Sequence, residues 1–237
     1  NKRIDMRIGS ITHQFVPVET RVPLKFGTET LTSVTCSRIR LEARGSSGAK
    51  VTGWGETPLS VQWVWPSELP YTERHEALMA FSESLVEAWA DWKGEGDALE
   101  LGHDLVFEDL PKRLDAYNDI ERKGREPMPW LAALVCASPI DIALHDAFGH
   151  SLGRPTYACY DGESLAHDLS RYLEPAEDSK VRFAGRYPAD YLLSDLPESL
   201  PVWHLVGGLD PLDSLELRGD EPDDGYPVHL REWIRRD

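Results

Sequence analysis

Gly149-His150-Ser151-Leu152-Gly153 spells G-x-S-x-G, the pattern in which a strained turn from strand to helix exposes a nucleophilic serine. Asp210 and His229 follow, so Ser151, Asp210 and His229 stand in the order Ser, Asp, His. Such a set does acyl transfer: the imidazole takes the hydroxyl proton and the carboxylate orients the imidazole. A second pair, Asp141 and His145, lies one helical turn apart, a spacing at which side chains on a helix can hold a metal. No third ligand is spaced to complete it, and a salt bridge to Arg154 is the plainer reading, so no metal residue is assigned. Asp220-Glu221-Pro222-Asp223-Asp224 lacks the Gly and Glu spacing of a calcium loop and reads as a solvated acidic turn. There is no G-x-G-x-x-G and no Walker A sequence.

The elements around Ser151 decide between nucleophile and helix end. From Ile140 to Phe148 the apolar positions step by three and four, and Arg154-Pro155 follows the serine. A helix leads in and a loop leads out, the reverse of what a serine elbow needs. Gly149 and Gly153 fit helix termination, where a left-handed backbone costs glycine little. A serine hydrolase using Ser151, Asp210 and His229 therefore stands as an alternative only.

The first third of the chain reads as β. Met6 and Ile8 alternate with charged residues, as do Ile39, Leu41 and Ala43, and 51–56 returns after a turn at 44–48. Residues His13 to Thr32 carry Pro17 and Pro23 with little periodicity and read as a long loop. The middle reads as α. Leu78, Phe81, Leu85, Trp89 and Trp92 form one apolar face, with Thr72 as N-cap and Gly94 as stop. A shorter helix is expected over 107–117 with Leu110 and Leu114 inward. Another carries Trp130, Leu134, Ala137, Leu144 and Phe148, with a kink or break at Pro139. Residues 156–200 have no long apolar face and read as an insertion or surface excursion. Pro201 to Val206 reads as a short buried strand, and Val228 to Arg236 as a helix.

Composition narrows the partners. Acidic residues outnumber basic ones, 41 to 25, for a formal net charge of -16. That field repels phosphate backbones, which argues against nucleic acid. No apolar run approaches the roughly 20 residues of a membrane span, so no membrane is expected. Cys36, Cys136 and Cys159 form no C-x-x-C pair and are odd in number, which reads as reduced thiols in a cytoplasmic protein.

Three stretches carry a resemblance. Ala137 to Pro155, with Ile140-Asp141-Ile142-Ala143-Leu144-His145-Asp146 and Gly149-His150-Ser151-Leu152-Gly153-Arg154-Pro155, resembles the last capping-domain helix of the enolase superfamily, in its mandelate racemase/muconate lactonizing enzyme branch. In that helix Trp is frequent where His145 stands, Lys where His150 stands, and a small helix former where Pro139 stands. Gly53-Trp54-Gly55-Glu56-Thr57-Pro58 resembles the family's G-W-G-E strand end, and Arg21 to Phe26 its mobile loop near the start.

The resemblance implies an α+β capping domain, an antiparallel sheet followed by a helical bundle, leading into an incomplete (β/α) barrel. The implied domains are 1–155 for the cap, 156–200 for the excursion, and 201–237 for the first strand and helix of the barrel. It implies the N-terminal portion of a racemase, epimerase, cycloisomerase or dehydratase that abstracts a proton α to a carboxylate, an isomerase or lyase with Mg²⁺ as cofactor. Barrel residues would hold the Mg²⁺ and act as acid and base. None of them is expected in this chain, which has no K-x-K and no room for the about 250 residues of a barrel. The expected partner is a small carboxylate, and family members often form homo-oligomers. Loops at His13 to Thr32 and Thr57 to Pro66 would face it. Lys25 would pair with the carboxylate and Phe26 cover an apolar part, against the reading of a solvated lysine beside a core phenylalanine. Trp63 would contact substrate, against plain packing. Glu56 would point to the site or make a strand-end hydrogen bond. A non-catalytic binding or assembly module remains a third reading.

Overall fold

The computed structural model describes residues 5–26, 29–45, 48–193, 197–202 and 205–236. The chain divides into two compact units: Asn1–Val16 with Cys36–Asp195, and Pro17–Thr35 with Leu196–Asp237. Two long strands, β1 (Met6–Phe26) and β2 (Glu29–Arg44), contribute to both.

In the first unit, β3 (Lys50–Pro58) returns antiparallel to β2, with Ile39 opposite Gly55 and Leu41 opposite Gly53. The two-residue β4 (Glu95–Gly96) pairs with Met6 and Arg7, giving the order β3-β2-β1-β4. Alternation works as expected: Met6, Ile8, Ile39, Leu41 and Ala43 are all buried. The long loop expected at 13–32 is strand at its described residues. Pro17 and Pro23 are tolerated because β4 covers only the start of β1, which leaves the rest of that flank an edge, where a missing N–H costs no ladder bond.

The helices follow. A short α1 (Val61–Val64) replaces part of the loop expected at 57–66. Helix α2 (Tyr71–Ala90) buries Leu78, Phe81, Leu85 and Trp89; Pro70, not Thr72, stands at its N-cap position and makes no side-chain capping bond. Helix α3 (Ala98–His103) starts on a capping box, Asp97 with Glu100, which closes two orphan backbone donors. One π-type turn (Asp104–Asp109) leads into α4 (Leu110–Ile120), which buries Leu110 and Leu114.

Helix α5 (Trp130–Leu152) is the spine of this unit. It runs without a break through Pro139. The lost backbone donor is outweighed by burial of Ala132, Ala133, Cys136, Ala137, Ile140, Ala143, Leu144, Ala147 and Phe148. Each large apolar side chain buried this way contributes about 1.5–3 kcal/mol. By length and apolarity alone α5 is long enough to cross a membrane, contrary to the expectation from apolar runs, but more than half of its most apolar stretch is buried in this core. Residues 156–193 are less of a surface excursion than expected. Cys159 and Leu165 enter the core, and Tyr160 and Tyr187 pack on it.

The second unit is built differently. It holds the end of β1 and the start of β2, turns over 205–229, and α6 (Leu230–Arg236). Its single buried residue among those described is His229, 5% exposed. The buried strand expected over 201–206 is not found at its described residues. Pro201, Val202, Leu205 and Val206 are irregular and exposed, Val202 at 92%. Trp203 and His204 lie outside the described residues.

Candidate functional site

Ser151 sits in the last turn of α5, and its hydroxyl donates to the Phe148 carbonyl at 2.8 Å. Gly153 caps the helix in the left-handed region (φ 63°), and the Arg154 amide donates back to the Gly149 carbonyl at 3.1 Å. His150 Nδ1–H donates to the Thr52 carbonyl at 2.7 Å. The remaining hydrolase candidates are occupied elsewhere, in the other unit. Asp210 accepts from the Gly207 amide at 2.6 Å, and His229 Nδ1 accepts from the Glu232 amide at 3.3 Å. Nothing in this geometry supports a serine hydrolase: the serine is a helix end.

The two glycine-bearing motifs meet. A Cβ on Gly55 would overlap the Pro139 carbonyl, and one on Gly53 would overlap the Ala143 carbonyl. Glycine lets β3 lie directly on the α5 backbone, along the face formed by Pro139, Ala143 and Ala147. Polar contacts pin the same seam. The Trp54 amide donates to Asp146 at 2.8 Å, and the Thr57 hydroxyl to Ser138 at 3.0 Å. Glu56 pairs with Arg38, its neighbour across the β2–β3 ladder.

Asp141 and His145 are one turn apart and 3.9 Å from each other. The Tyr160 hydroxyl meets His145 Nδ1 at 2.8 Å. Burial raises the Asp141 carboxyl and lowers the His145 imidazole, and it pushes the Tyr160 phenol up to about 12. In the same unit, Asp97 accepts from the Ala166 amide at 2.7 Å, and Glu100 meets His167 at 3.0 Å. These groups fasten 156–172 to α3 and α5. The salt bridge expected between this helix and Arg154 is absent. Arg154 instead pairs with Asp161 at 3.0 Å and donates to the Ala158 carbonyl, because the chain folds back just past Gly153. Among the described residues no three His, Cys, Asp or Glu are grouped to hold a metal ion, so the Mg²⁺ implied by the resemblance does not fit this donor set.

Lys25 lies exposed on β1 in the second unit. The Phe26 side chain is outside what the structure describes. Trp63 is 62% exposed on α1, in the first unit, so the three candidates are not drawn from one unit. Its neighbour Trp65 is core: buried, its indole N–H donating to Glu126 at 2.7 Å, with Arg122 stacked 5.1 Å from the ring.

The second unit contains a cavity of about 680 Å³. Apolar side chains Val22, Pro23, Leu205, Val206 and Trp233 form much of its wall, and Arg21 lines it too. Arg21 grips the segment 224–227. Its Nε and Nη2 donate to both oxygens of Asp224 at 2.7 Å each, Nη2 also to the Tyr226 carbonyl at 3.0 Å, and Nη1 to the Pro227 carbonyl at 3.1 Å. Sequence reading quoted Arg21 in a motif and gave it no role. The signal that could have pointed to it is an arginine in one apolar stretch facing an acidic run at 220–224.

No family model matches the chain, and no curated protein matches it. Solved structures do, each over about two thirds of this chain and a third of its own length. One is a mandelate racemase/muconate lactonizing enzyme-like protein from Rubrobacter xylanophilus, 20% identical over 65% of this chain and 33% of that one, TM-score 0.38. Another is an enolase from Bradyrhizobium complexed with magnesium and mandelic acid, 19% identical over 65% and 34%, TM-score 0.38. A third is the L-Ala-D/L-Glu epimerase from Bacillus subtilis, 18% identical over 64% and 33%, TM-score 0.36. The chain thus spans about a third of the length of the structures it is similar to.

Proposed function

We propose that this chain is the capping portion of an enolase-superfamily enzyme that abstracts a proton α to a carboxylate, acting as a racemase, epimerase, cycloisomerase or dehydratase in the cytoplasm. The observation that carries the reading is the seam between Gly53, Gly55 and α5. The G-W-G-E strand and the I-D-x-A-L helix are the two sides of one contact, and each motif explains the residue types of the other. On this reading the Mg²⁺ and the acid–base groups belong to barrel strands outside the described residues, and no step is assigned to them.

This chain's own share is to bind and cover. Lys25 offers a cation to the substrate carboxylate and Phe26 covers an apolar part. The test is exchange of the α-proton of mandelate and of dipeptides in deuterium oxide, with and without Mg²⁺, using protein expressed from the full reading frame. Mg²⁺-dependent exchange is expected. Its absence across a panel of small carboxylates would overturn the reading.

A further inference from the structure

We propose that Arg21 is a receptor for a ligand carboxylate and is occupied in this structure by the chain's own Asp224, which an incoming carboxylate replaces; the class of ligand rests on the function proposed above. Arg21 places two parallel N–H groups on the two Asp224 oxygens at 2.7 Å each, the fork by which a guanidinium recognises a carboxylate. Asp224 reaches it from an acidic turn that ends at Gly225, whose positive φ of 79° swings the chain back. Hydrogen bonds from Arg21 hold the Asp224 carboxyl well below the usual range, so the occupant is an anion.

Three features make this contact exchangeable. First, it is exposed: the Arg21 and Asp224 side chains are 33% and 42% accessible, and ion pairs open to solvent contribute little. Second, the guanidinium does not depend on Asp224 for its aim, because the Tyr226 and Pro227 carbonyls also hold it. Third, Arg21 lines the cavity, which is of a size that takes small molecules. A ligand carboxylate can take the same two N–H groups while its apolar remainder enters beside Val22, Leu205 and Trp233. That burial is a gain Asp224 does not have.

The other charges on the cavity wall leave the role to Arg21. Asp210 accepts from the Gly207 amide, and Glu221 from the amides of Arg218 and Gly219. Asp220 adds a negative charge and Arg218 a second positive one. An internal carboxylate on the receptor gives the unit a closed state whose opening depends on ligand concentration.

The test is titration calorimetry of the 237-residue chain with phenylacetate, and with neutral phenylacetamide as control. Asp224→Asn removes the competitor and is expected to bind phenylacetate about two- to fivefold more tightly than the unaltered chain, the size expected for an exposed ion pair. A gain in affinity cannot come from unfolding. Asp223→Asn removes a neighbouring carboxylate that does not touch Arg21 and is expected to change nothing. Arg21→Met is expected to abolish binding, and phenylacetamide to bind none of the proteins. Binding that requires Arg21 but is unchanged in Asp224→Asn overturns the exchange and leaves the proposed function standing. Binding that survives Arg21→Met, or no phenylacetate binding by any variant, overturns the receptor itself.

Discussion

The two units are stabilised by different physics. The first is organised around a dry spine: α5 is packed by β3 on one side and by α2, α3 and α4 on others, and its buried positions are apolar or small. The second buries one residue among those described, a histidine, and exposes Val202, Leu205, Leu215 and Ile234. Hydrogen bonds to carboxylates hold its turns. Asp210, Asp213, Glu216, Glu221 and Asp224 each accept from a backbone amide. Apolar burial is non-directional and insensitive to salt, whereas exposed polar contacts are directional and screened. The first unit should therefore respond to changes of volume, and the second to changes of charge.

The largest expected effect is at the β3–α5 seam. Gly55→Val drives a branched side chain into the Pro139 carbonyl, with no flexible neighbour to give way. It should cost at least about 3 kcal/mol of unfolding free energy, read from urea denaturation. A loss under 1 kcal/mol, on the order of an ordinary surface change, would mean that the strand and helix do not meet as described. Trp89→Ala comes next, at about 3–5 kcal/mol, since it empties a fully buried site beneath α2. In the second unit Leu215→Ala deletes an equally apolar side chain that is 91% exposed, and should change stability by no more than about 0.5 kcal/mol. Comparable losses from Trp89 and Leu215 would erase the contrast between the units.

The same contrast governs what was legible from sequence. Elements whose periodicity is imposed by the core could be read: Ile39, Leu41 and Ala43 on β2, the apolar face of α2, and the Gly153 end of α5. Where packing does not impose a period, reading failed. The far half of β1 has few buried side chains and two prolines, so nothing in its pattern says strand. The strand expected at 201–206 was inferred from an apolar run, but a run sets no structure without something to bury it. Pro139 misled in the opposite direction: a local rule against helix was overridden by burial on both sides of it. For the site, Lys25 and Trp63 were singled out by residue type and loop position, which do not show to which unit each belongs. The grip of Arg21 on Asp224 joins residues far apart in the chain, and spacing alone cannot disclose it.

A smaller effect is expected from pH, through the His145 imidazole of the first unit, which burial lowers, as it does His13 and His75, and which carboxylates oppose. His145 has a folded-state pKa below its ordinary 6.5, chiefly through desolvation, with Asp141 and Asp97 acting the other way. The sign follows from proton counting. Above pH 6.5 neither state is protonated and the full stability is present. As pH falls below 6.5 the unfolded chain takes up a proton that the folded one resists, so stability is lost until the folded pKa is passed. Asp141, raised by burial, acts oppositely and at more acidic pH, above its ordinary 3.8. Unfolding free energy measured from pH 7.5 to pH 5.5 should therefore fall in the unaltered chain and fall less in His145→Gln. Equal slopes would mean that the Tyr160 contact leaves His145 free to protonate in place.

The smallest expected effect sharpens the comparison from the other side. Raising salt should leave amide protection in α5 unchanged, while loosening 205–229 through the exposed Arg21–Asp224 pair, as read by hydrogen exchange. Arg21→Met should produce that loosening at low salt and make further salt ineffective. If α5 loosens with salt as readily as 205–229 does, charge rather than burial holds both units. If neither responds, the carbonyls of Tyr226 and Pro227, and not Asp224, are what keep Arg21 in place.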